Sequence, residues 1–183
     1  MLKNIVMLVG SLALSANIAL AAAADPKDLQ VANDVAKAVN RYAYFTVFDD
    51  VNMQVQDGVV TLTGKVTMPY KRDDIAKRVA KVDGVRQVRD QIGVLPVSMF
   101  DDQLRYRIAR SIYGNDSFVR FAMSANQPIH IVVENGRVTL TGVVASEVDR
   151  MLARSLATHF GAFSVTNNLK TDAEVRDSID KQS

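Results

Sequence analysis

Alternation of apolar and polar residues occurs twice along the chain. Two groups of three apolar residues are separated by mostly polar ones: Val51, Met53 and Val55, and then Ile129, Ile131 and Val133. Successive side chains of a strand point to opposite faces, so each group predicts a strand with one buried face. Asp57-Gly58 follows the first group and Asn135-Gly136 the second. Both pairs favour a two-residue hairpin turn, because both central positions need positive φ.

The strand after each turn repeats the same sequence. Residues 58–66 and 136–144 are identical at seven of nine positions, at an offset of 78. The apolar positions on one face of these segments are Val60, Leu62 and Val66, and Val138, Leu140 and Val144. Gly64 and Gly142 share that face. Because glycine weakens a strand unless another backbone must approach closely, we expect a helix to lie against the sheet at these two positions.

Helical spacing flanks both hairpins. The residues before the hairpins that follow it are Val31, Val35, Ala38, Val39 and Tyr42, and then Phe100, Leu104, Ile108 and Ile112. The residues after the hairpins are Ile75, Val79 and Val82, and then Val148, Leu152, Leu156 and His159. Pro69 is typical of a first helical turn, and Ser146 with Asp149 resembles a capping box.

A short apolar segment closes each unit, starting at Gly84-Val85 and at Gly161-Ala162. A strand–helix–strand crossover places its two strands parallel in one sheet. Each unit therefore has the order helix, strand, strand, helix, strand. The sequence predicts an α+β fold of two tandem αββαβ modules, each a three-stranded mixed sheet packed against two helices.

Residues 1–24 are predicted to be an export signal peptide. Lys3 precedes an apolar run from Ile5 to Leu14, and small residues follow up to Ala24. We expect cleavage after Ala24 and a periplasmic location. The alternative is a retained anchor, because residues 5–24 are long enough to span a bilayer. The rest divides into modules at 26–94 and 100–170 and a polar C-terminal tail at 171–183, in which a brief helix and a frayed end are both compatible with the sequence.

Composition narrows the possible functions. The chain has no cysteine, so it uses neither disulfides nor a lipid-bearing cysteine. Its 22 Lys and Arg residues stand against 20 Asp and Glu, a balance that gives no reason to expect a nucleic-acid partner. No second long apolar run follows the first, so we expect no transmembrane segment in the mature chain.

Together these motifs resemble the BON-domain family of bacterial envelope proteins. The resemblance rests on the Asp/Asn-Gly turn, the Val-Thr-Leu-Thr-Gly strand at 60–64 and 138–142, and Gly-Val-x-x-Val starting at Gly84. It covers nearly the whole mature chain as two copies. It implies an αββαβ fold, no enzymatic activity, and a role in envelope integrity and osmotic stress. Some members associate with anionic phospholipid. The second copy departs from the pattern at Ala162 and has about five extra residues within 117–128.

Residues that carry chemistry are sparse. His130 falls on the outer face of a predicted strand and His159 at a helix end, where we expect structural or solvated roles. Asp49-Asp50, Asp73-Asp74 and Asp101-Asp102 do not match a calcium loop. We expect the first pair in a loop and the other two at helix starts, where they favour the helix dipole. With no catalytic constellation, the sequence predicts no enzyme, no metal site and no cofactor.

Two groups of residues are candidates for binding. Arg150, Met151 and Arg154 share the outer face of a helix, and an apolar residue between two arginines suits contact with an anionic membrane surface. The alternative is an ordinary solvated helix face. The aromatic stretches with Tyr44 and Phe45, and with Phe118 and Phe121, have two interpretations. They either form a partner-binding rim, or they close the end of each core or form the contact between the two units.

These candidates support two hypotheses. In the first, the protein is a non-enzymatic periplasmic envelope-maintenance and stress protein whose modules associate with an anionic phospholipid surface. In the second, it is a protein-interaction or chaperone-like module that binds an envelope protein through the aromatic stretches or a sheet edge. The two differ in whether lipid vesicles alone capture the protein.

Overall fold

A computed structural model describes residues 25–124, 126–158 and 160–180. The predicted signal at 1–24 and His159 lie outside these residues. The elements of the first module are α1 (Pro26–Asn40), β1 (Asp50–Gln56), β2 (Val59–Val66), α2 (Pro69–Val79), β3 (Gln87–Asp90) and β4 (Gly93–Val94). Those of the second are α3 (Met99–Tyr113), a 3₁₀ turn (Val119–Phe121), β5 (Ile129–Glu134), β6 (Arg137–Val144), α4 (Glu147–Thr158), β7 (Ser164–Asn167), β8 (Lys170–Thr171) and α5 (Asp172–Asp180).

The two sheets have the same topology. β1 pairs with β2 antiparallel, and β2 pairs with β3 and β4 in parallel. β5, β6, β7 and β8 repeat these pairings. The prediction of an α+β fold with two αββαβ modules is confirmed. Each mixed sheet has a two-residue strand in addition to the three predicted.

Each module closes over its own core between the sheet and its two helices. The first core contains Val35, Val39, Val51, Met53, Val55, Val60, Leu62, Val66, Ile75 and Val79. The second contains Leu104, Ile108, Ile112, Phe118, Ile129, Ile131, Val133, Val138, Leu140, Ala153 and Ala157. Nearly all the predicted inward-facing strand residues are in these sets. Burial of this apolar surface is the main stabilising term for both modules, at about 25 cal/mol per Å².

Both hairpin turns have the predicted backbone. Asp57 and Gly58 have φ of 52° and 72°, and Asn135 and Gly136 have φ of 51° and 72°. In each module a carboxylate from the first helix accepts the two amide hydrogens of the turn. Asp28 accepts from Asp57 and Gly58 at 2.7 and 2.9 Å, and Asp101 from Asn135 and Gly136 at 2.8 Å each.

The mid-strand glycines have a different cause from the one predicted. Gly64 and Gly142 have φ of 111° and 117°. A Cβ on Gly64 would lie 2.1 Å from the carbonyl oxygen of Asp50, and one on Gly142 would lie 1.9 Å from that of Pro128. The close backbone is therefore that of β1 at Gly64 and that of the residue directly before β5 at Gly142, and the expectation of a helix there is wrong.

Two helices bury slightly different faces from those predicted. Phe100 is half exposed, Val148 is exposed, and Leu152 and Leu156 are only partly buried. α4 instead presents Ala153 and Ala157, both fully buried, to the core. Alanine allows a helix axis to approach the sheet closely, which moves the leucines to the sides of the contact.

The segment after the second module is ordered as a helix up to Asp180. The Thr171 hydroxyl accepts the backbone hydrogen of Glu174 at 3.2 Å, and the Glu174 carboxylate accepts that of Thr171 at 2.8 Å. This reciprocal pair is a capping box. Ser146 starts α4 in a related way, since its hydroxyl accepts the Asp149 amide hydrogen at 3.2 Å and donates to the Asp149 carboxylate at 2.9 Å.

Candidate binding surfaces and the contact between the modules

The two modules meet where the chain enters β1. The Ile131 amide donates to the Val47 carbonyl oxygen at 2.6 Å. One residue away, the His130 Nδ1 lies 2.6 Å from the carbonyl oxygen of Asp49. Residues 47–49 thus run along the free edge of β5, and this contact covers part of a strand edge that would otherwise be open to another chain.

A buried ion pair holds this entry segment in place. Asp49 and Lys71 are both buried, and the Lys71 Nζ lies 2.7 Å from an Asp49 carboxylate oxygen. The carboxylate also accepts the backbone and hydroxyl hydrogens of Thr46 and Thr67, all at 2.8 Å. The site is fully hydrogen-bonded, which is the condition for a buried charge pair to persist. We read it as structural.

Asp50 points from the first module into the second. Its carboxylate accepts from the Thr141 hydroxyl at 3.1 Å and from the Asn52 amide at 3.2 Å. Burial raises the pKa of Asp50 to about 6, although both hydrogen bonds act in the opposite direction. The expectation of a loop holds for Asp49, which precedes β1, and is wrong for Asp50, the first residue of that strand. Both residues are buried.

His130 is part of the same contact. Its ring is buried and lies 5.4 Å from that of Phe45, centroid to centroid. Burial lowers the pKa of His130, against the effect of the Asp49 carbonyl. A carbonyl only accepts, so Nδ1 carries the proton in the neutral ring. His130 therefore faces the other module rather than solvent.

Of the two acidic pairs predicted to lie at the start of a helix, one does so. Asp101 and Asp102 lie in the first turn of α3. Asp73 and Asp74 lie further along α2, whose first turn has no acidic residue. Nowhere in the described residues do three or more histidine or carboxylate side chains group in a way that would hold a metal ion.

The predicted lipid-binding residues of α4 differ in their availability. Met151 and Arg154 are exposed. Arg150 forms ion pairs with Glu147 and with Glu174, the latter at 2.8 Å, and these carboxylates raise its pKa. Two carboxylates therefore offset its charge, and the pair with Glu174 connects α5 to α4. Of the two arginines predicted to flank Met151, only Arg154 remains available for an anion.

The aromatic stretches divide between surface and core. Tyr44 is exposed and contacts the Tyr42 and Tyr70 rings edge-on, at 5.8 and 6.1 Å between centroids. Phe45 is partly buried against the first core. Phe118 is 2% exposed and Phe121 is partly buried, both in the second core. Phe118 is therefore not accessible to a partner, and Tyr44 alone of the four presents an open ring.

The outer face of α3 combines an exposed aromatic ring with cations. Tyr106 is 65% exposed and packs edge-on against Phe48 of the first module, at 5.1 Å between centroids. Arg107 and Arg110 are exposed beside it, and neither forms an ion pair with any described residue. With Phe160 they line an open groove of about 590 Å³. The sequence analysis missed this surface, although the three α3 residues all lie away from the buried Leu104 and Ile108.

Within the part of the chain that the structure describes, none of the helices is both long and apolar enough to cross a membrane. The model of the BON domain matches residues 27–96 and 116–173. No curated protein matches the sequence.

CdsD, a structural protein of the type III secretion system of Chlamydia trachomatis, is similar over 81% of this chain and 96% of that chain, with 13% identity and a TM-score of 0.28. A structure of the CdsD C-terminal domain is similar over 79% of this chain and 98% of that chain, with 13% identity and a TM-score of 0.27.

Proposed function

Because the chain belongs to the BON-domain family, we propose that it is a non-enzymatic envelope protein that associates with anionic phospholipid surfaces. BON domains are non-catalytic binding modules, and their proteins are typically periplasmic or otherwise envelope-associated. The family is associated with phospholipid binding and with stress-related envelope proteins. A periplasmic location and a role in maintaining the envelope under osmotic stress are part of this proposal.

The outer face of α3 is the observation that carries the proposal. A tyrosine ring is amphipathic and suits the headgroup region of a bilayer. Arginine binds phosphate oxygens through its planar fork of donors, and Arg107 and Arg110 are not occupied by carboxylates of the described residues. The face of α4 supports the proposal less well, because two glutamates engage Arg150.

Vesicle co-sedimentation tests the proposal. We expect the protein to bind phosphatidylcholine vesicles containing phosphatidylglycerol, and to bind pure phosphatidylcholine much less. Binding should weaken between about 20 mM and about 300 mM NaCl, because exposed charges are screened within a few ångströms at high salt. Absence of binding to the phosphatidylglycerol vesicles at the lower salt concentration would refute the proposed function.

A pair of charge-matched variants locates the contact. Arg107→Gln with Arg110→Gln should reduce binding about tenfold or more, since each lost cation–phosphate contact near a membrane is worth about 1 kcal/mol. Lys27→Gln with Arg89→Gln removes the same charge from exposed residues that lie outside both candidate lipid-binding faces. This control should bind within about twofold of the wild type. Equal losses in both variants would show a dependence on net charge alone and would reject the α3 surface.

Capture of an envelope protein is the second candidate, and one observation favours it. The rings of Phe100 and Phe163 stack at 6.4 Å beside the turn at Gly136, and both are exposed. Exposed aromatic pairs of this kind mark interaction surfaces. If this function holds, the protein slows the aggregation of an unfolded test protein, and Phe100→Ser with Phe163→Ser loses that effect. No slowing at a several-fold molar excess would dismiss it.

A further inference from the structure

A basic groove lies between the two helices of the first module. It has a volume of about 570 Å³ and is lined by Ala38, Arg41, Asp74, Lys77, Arg78, Lys81 and Val82. Four of these residues are cationic and one is acidic. The groove belongs to α1, α2 and the residues just after each helix, and is separate from the α3 surface of the second module.

The cations of this groove are not neutralised by neighbouring carboxylates. Asp74 accepts from the Tyr42 hydroxyl at 2.8 Å, and the Arg78 guanidinium lies 4.8 Å from the centroid of that tyrosine ring. Among the described residues no ion pair involves Arg41, Lys77, Arg78 or Lys81.

Other cations of α2, outside the groove, do form ion pairs. Lys71 is buried against Asp49, and Arg72 contacts Asp73 at 3.1 Å and Asp90 at 3.8 Å. The cations of α2 nearest its start therefore have carboxylate partners. Those that face the groove have none.

We propose that this groove binds a multiply charged phosphate group. Like charges lining one concave surface raise the local concentration of an anion, because the low-dielectric walls focus the field. The four cations outnumber the single carboxylate of the lining, Asp74. A ligand with one negative charge would therefore neutralise only part of the remaining positive charge. Arginine adds paired donors suited to phosphate oxygens, and lysine adds a compact charge. The phosphate is either part of a free anion or part of a lipid headgroup, and the groove recognises the same chemistry in both.

Calorimetric titration of the full chain with inorganic pyrophosphate at low ionic strength tests the site. We expect saturable binding, and Lys77→Gln with Lys81→Gln should weaken it about tenfold. The control is Lys27→Gln with Arg89→Gln, which removes the same charge from exposed residues of the same module that form no ion pair with the described residues. It should change the affinity less than about threefold. Failure of the wild type to bind at about 5 mM pyrophosphate, or equal losses in both variants, overturns the proposal.

Two further measurements separate the sources of the phosphate and the two proposals. If pyrophosphate displaces the protein from vesicles containing phosphatidic acid, the groove binds the lipid-borne phosphate. If the protein binds pyrophosphate but is not displaced, the groove takes the free anion. Arg107→Gln with Arg110→Gln should leave pyrophosphate binding intact whether or not it abolishes vesicle binding. A loss of pyrophosphate binding in that variant contradicts a separate site in the first module.

Discussion

Asp28 and Asp101 occupy equivalent positions in the two modules, because each carboxylate bridges the two backbone amides of a hairpin turn. They lie 73 residues apart, whereas the turns lie 78 apart. The difference matches the five extra residues between the first helix and first strand of the second module. The match to the BON model resumes only at residue 116, but this shared contact identifies α3 as the counterpart of α1.

Removing these carboxylates should destabilise the two modules unequally. Asp101 is 1% exposed, whereas Asp28 is half-buried. Hydrogen bonds to a charged acceptor contribute about 1.5–3 kcal/mol and are worth most where water cannot replace them. We expect Asp101→Ala to lower the free energy of unfolding by about 3 kcal/mol and Asp28→Ala by about 1 kcal/mol in urea titrations. Losses of similar size would show that burial does not control this contact.

The buried pair of Asp49 and Lys71 should depend strongly on both partners. Replacing Lys71 by Met leaves a buried carboxylate without its cation, which costs about 3–5 kcal/mol of unfolding free energy. Lys71→Met with Asp49→Asn should recover part of that loss, because the charge is then gone. The comparison is Lys65→Met, which breaks a half-exposed pair with Glu134 and should cost less than about 1 kcal/mol. Chemical denaturation measures all three, and equal costs for Lys71→Met and Lys65→Met would contradict the structural role.

The parts of the fold that were predictable are those that local sequence determines. The period-two pattern around Val51 and Ile129 and the turns at Gly58 and Gly136 each depend on residues close together in sequence. The phase of α4 was not predictable to the same degree. Ala153 and Ala157 have the same spacing as Leu152 and Leu156, and hydropathy alone favours the larger side chains.

Contacts between distant residues explain most of what the sequence analysis missed in the candidate sites. No residue near Asp49 in the sequence indicates its buried ion pair, because its partner Lys71 is 22 positions later. Arg150 resembles a free surface cation, although Glu147 one turn earlier is a readable partner. Its second partner, Glu174, is 24 positions away on a helix that is too short to be predicted with certainty by its own propensity.

The geometry that the two mid-strand glycines share predicts a severe effect of a single methyl group. Gly142→Ala would place its Cβ 1.9 Å from the carbonyl oxygen of Pro128, the residue directly before β5, so that backbone would have to shift. Gly161 also has positive φ, 81°, but nothing lies within 4 Å of a Cβ there. We expect Gly161→Ala to cost about 1 kcal/mol from backbone strain alone and Gly142→Ala to cost at least about 3 kcal/mol. Thermal unfolding distinguishes them, and equal costs would indicate that the strand adjusts.

Truncation of a buried aromatic ring should cost much more stability than truncation of an exposed one. Phe118→Ala removes a fully buried ring from the second core, and such truncations cost about 3–5 kcal/mol. Tyr44→Ala removes an exposed ring with edge contacts, for which we expect less than about 1 kcal/mol. Urea titration of both variants checks this difference. A small effect of Phe118→Ala would return that residue to the candidates for partner binding.

Two titrating groups at the contact between the modules have opposite effects on stability. The pKa of Asp50 rises from 3.8 to about 6 on folding, so the folded protein binds this proton more tightly. This difference in proton affinity stabilises the folded protein below about pH 4, and the stabilisation is lost as the pH rises through about 6. The free energy of unfolding changes by about 3 kcal/mol at most. Burial lowers the pKa of His130 below 6.5, so its contribution is present above that pH and is lost on acidification.

Single substitutions should expose each effect, when stability is compared with the wild type at every pH. The unfolding free energy of Asp50→Asn, compared with that of the wild type, should rise by about 2–3 kcal/mol between about pH 4 and about pH 7. The reason is that only the wild type loses stability as Asp50 ionises. His130→Gln should change in the opposite direction, losing stability relative to wild type over the same interval. Urea titrations at a series of pH values give both differences. Parallel curves for the wild type and the Asp50 variant would mean that this carboxyl group titrates normally, and therefore that the modules do not bury it in solution.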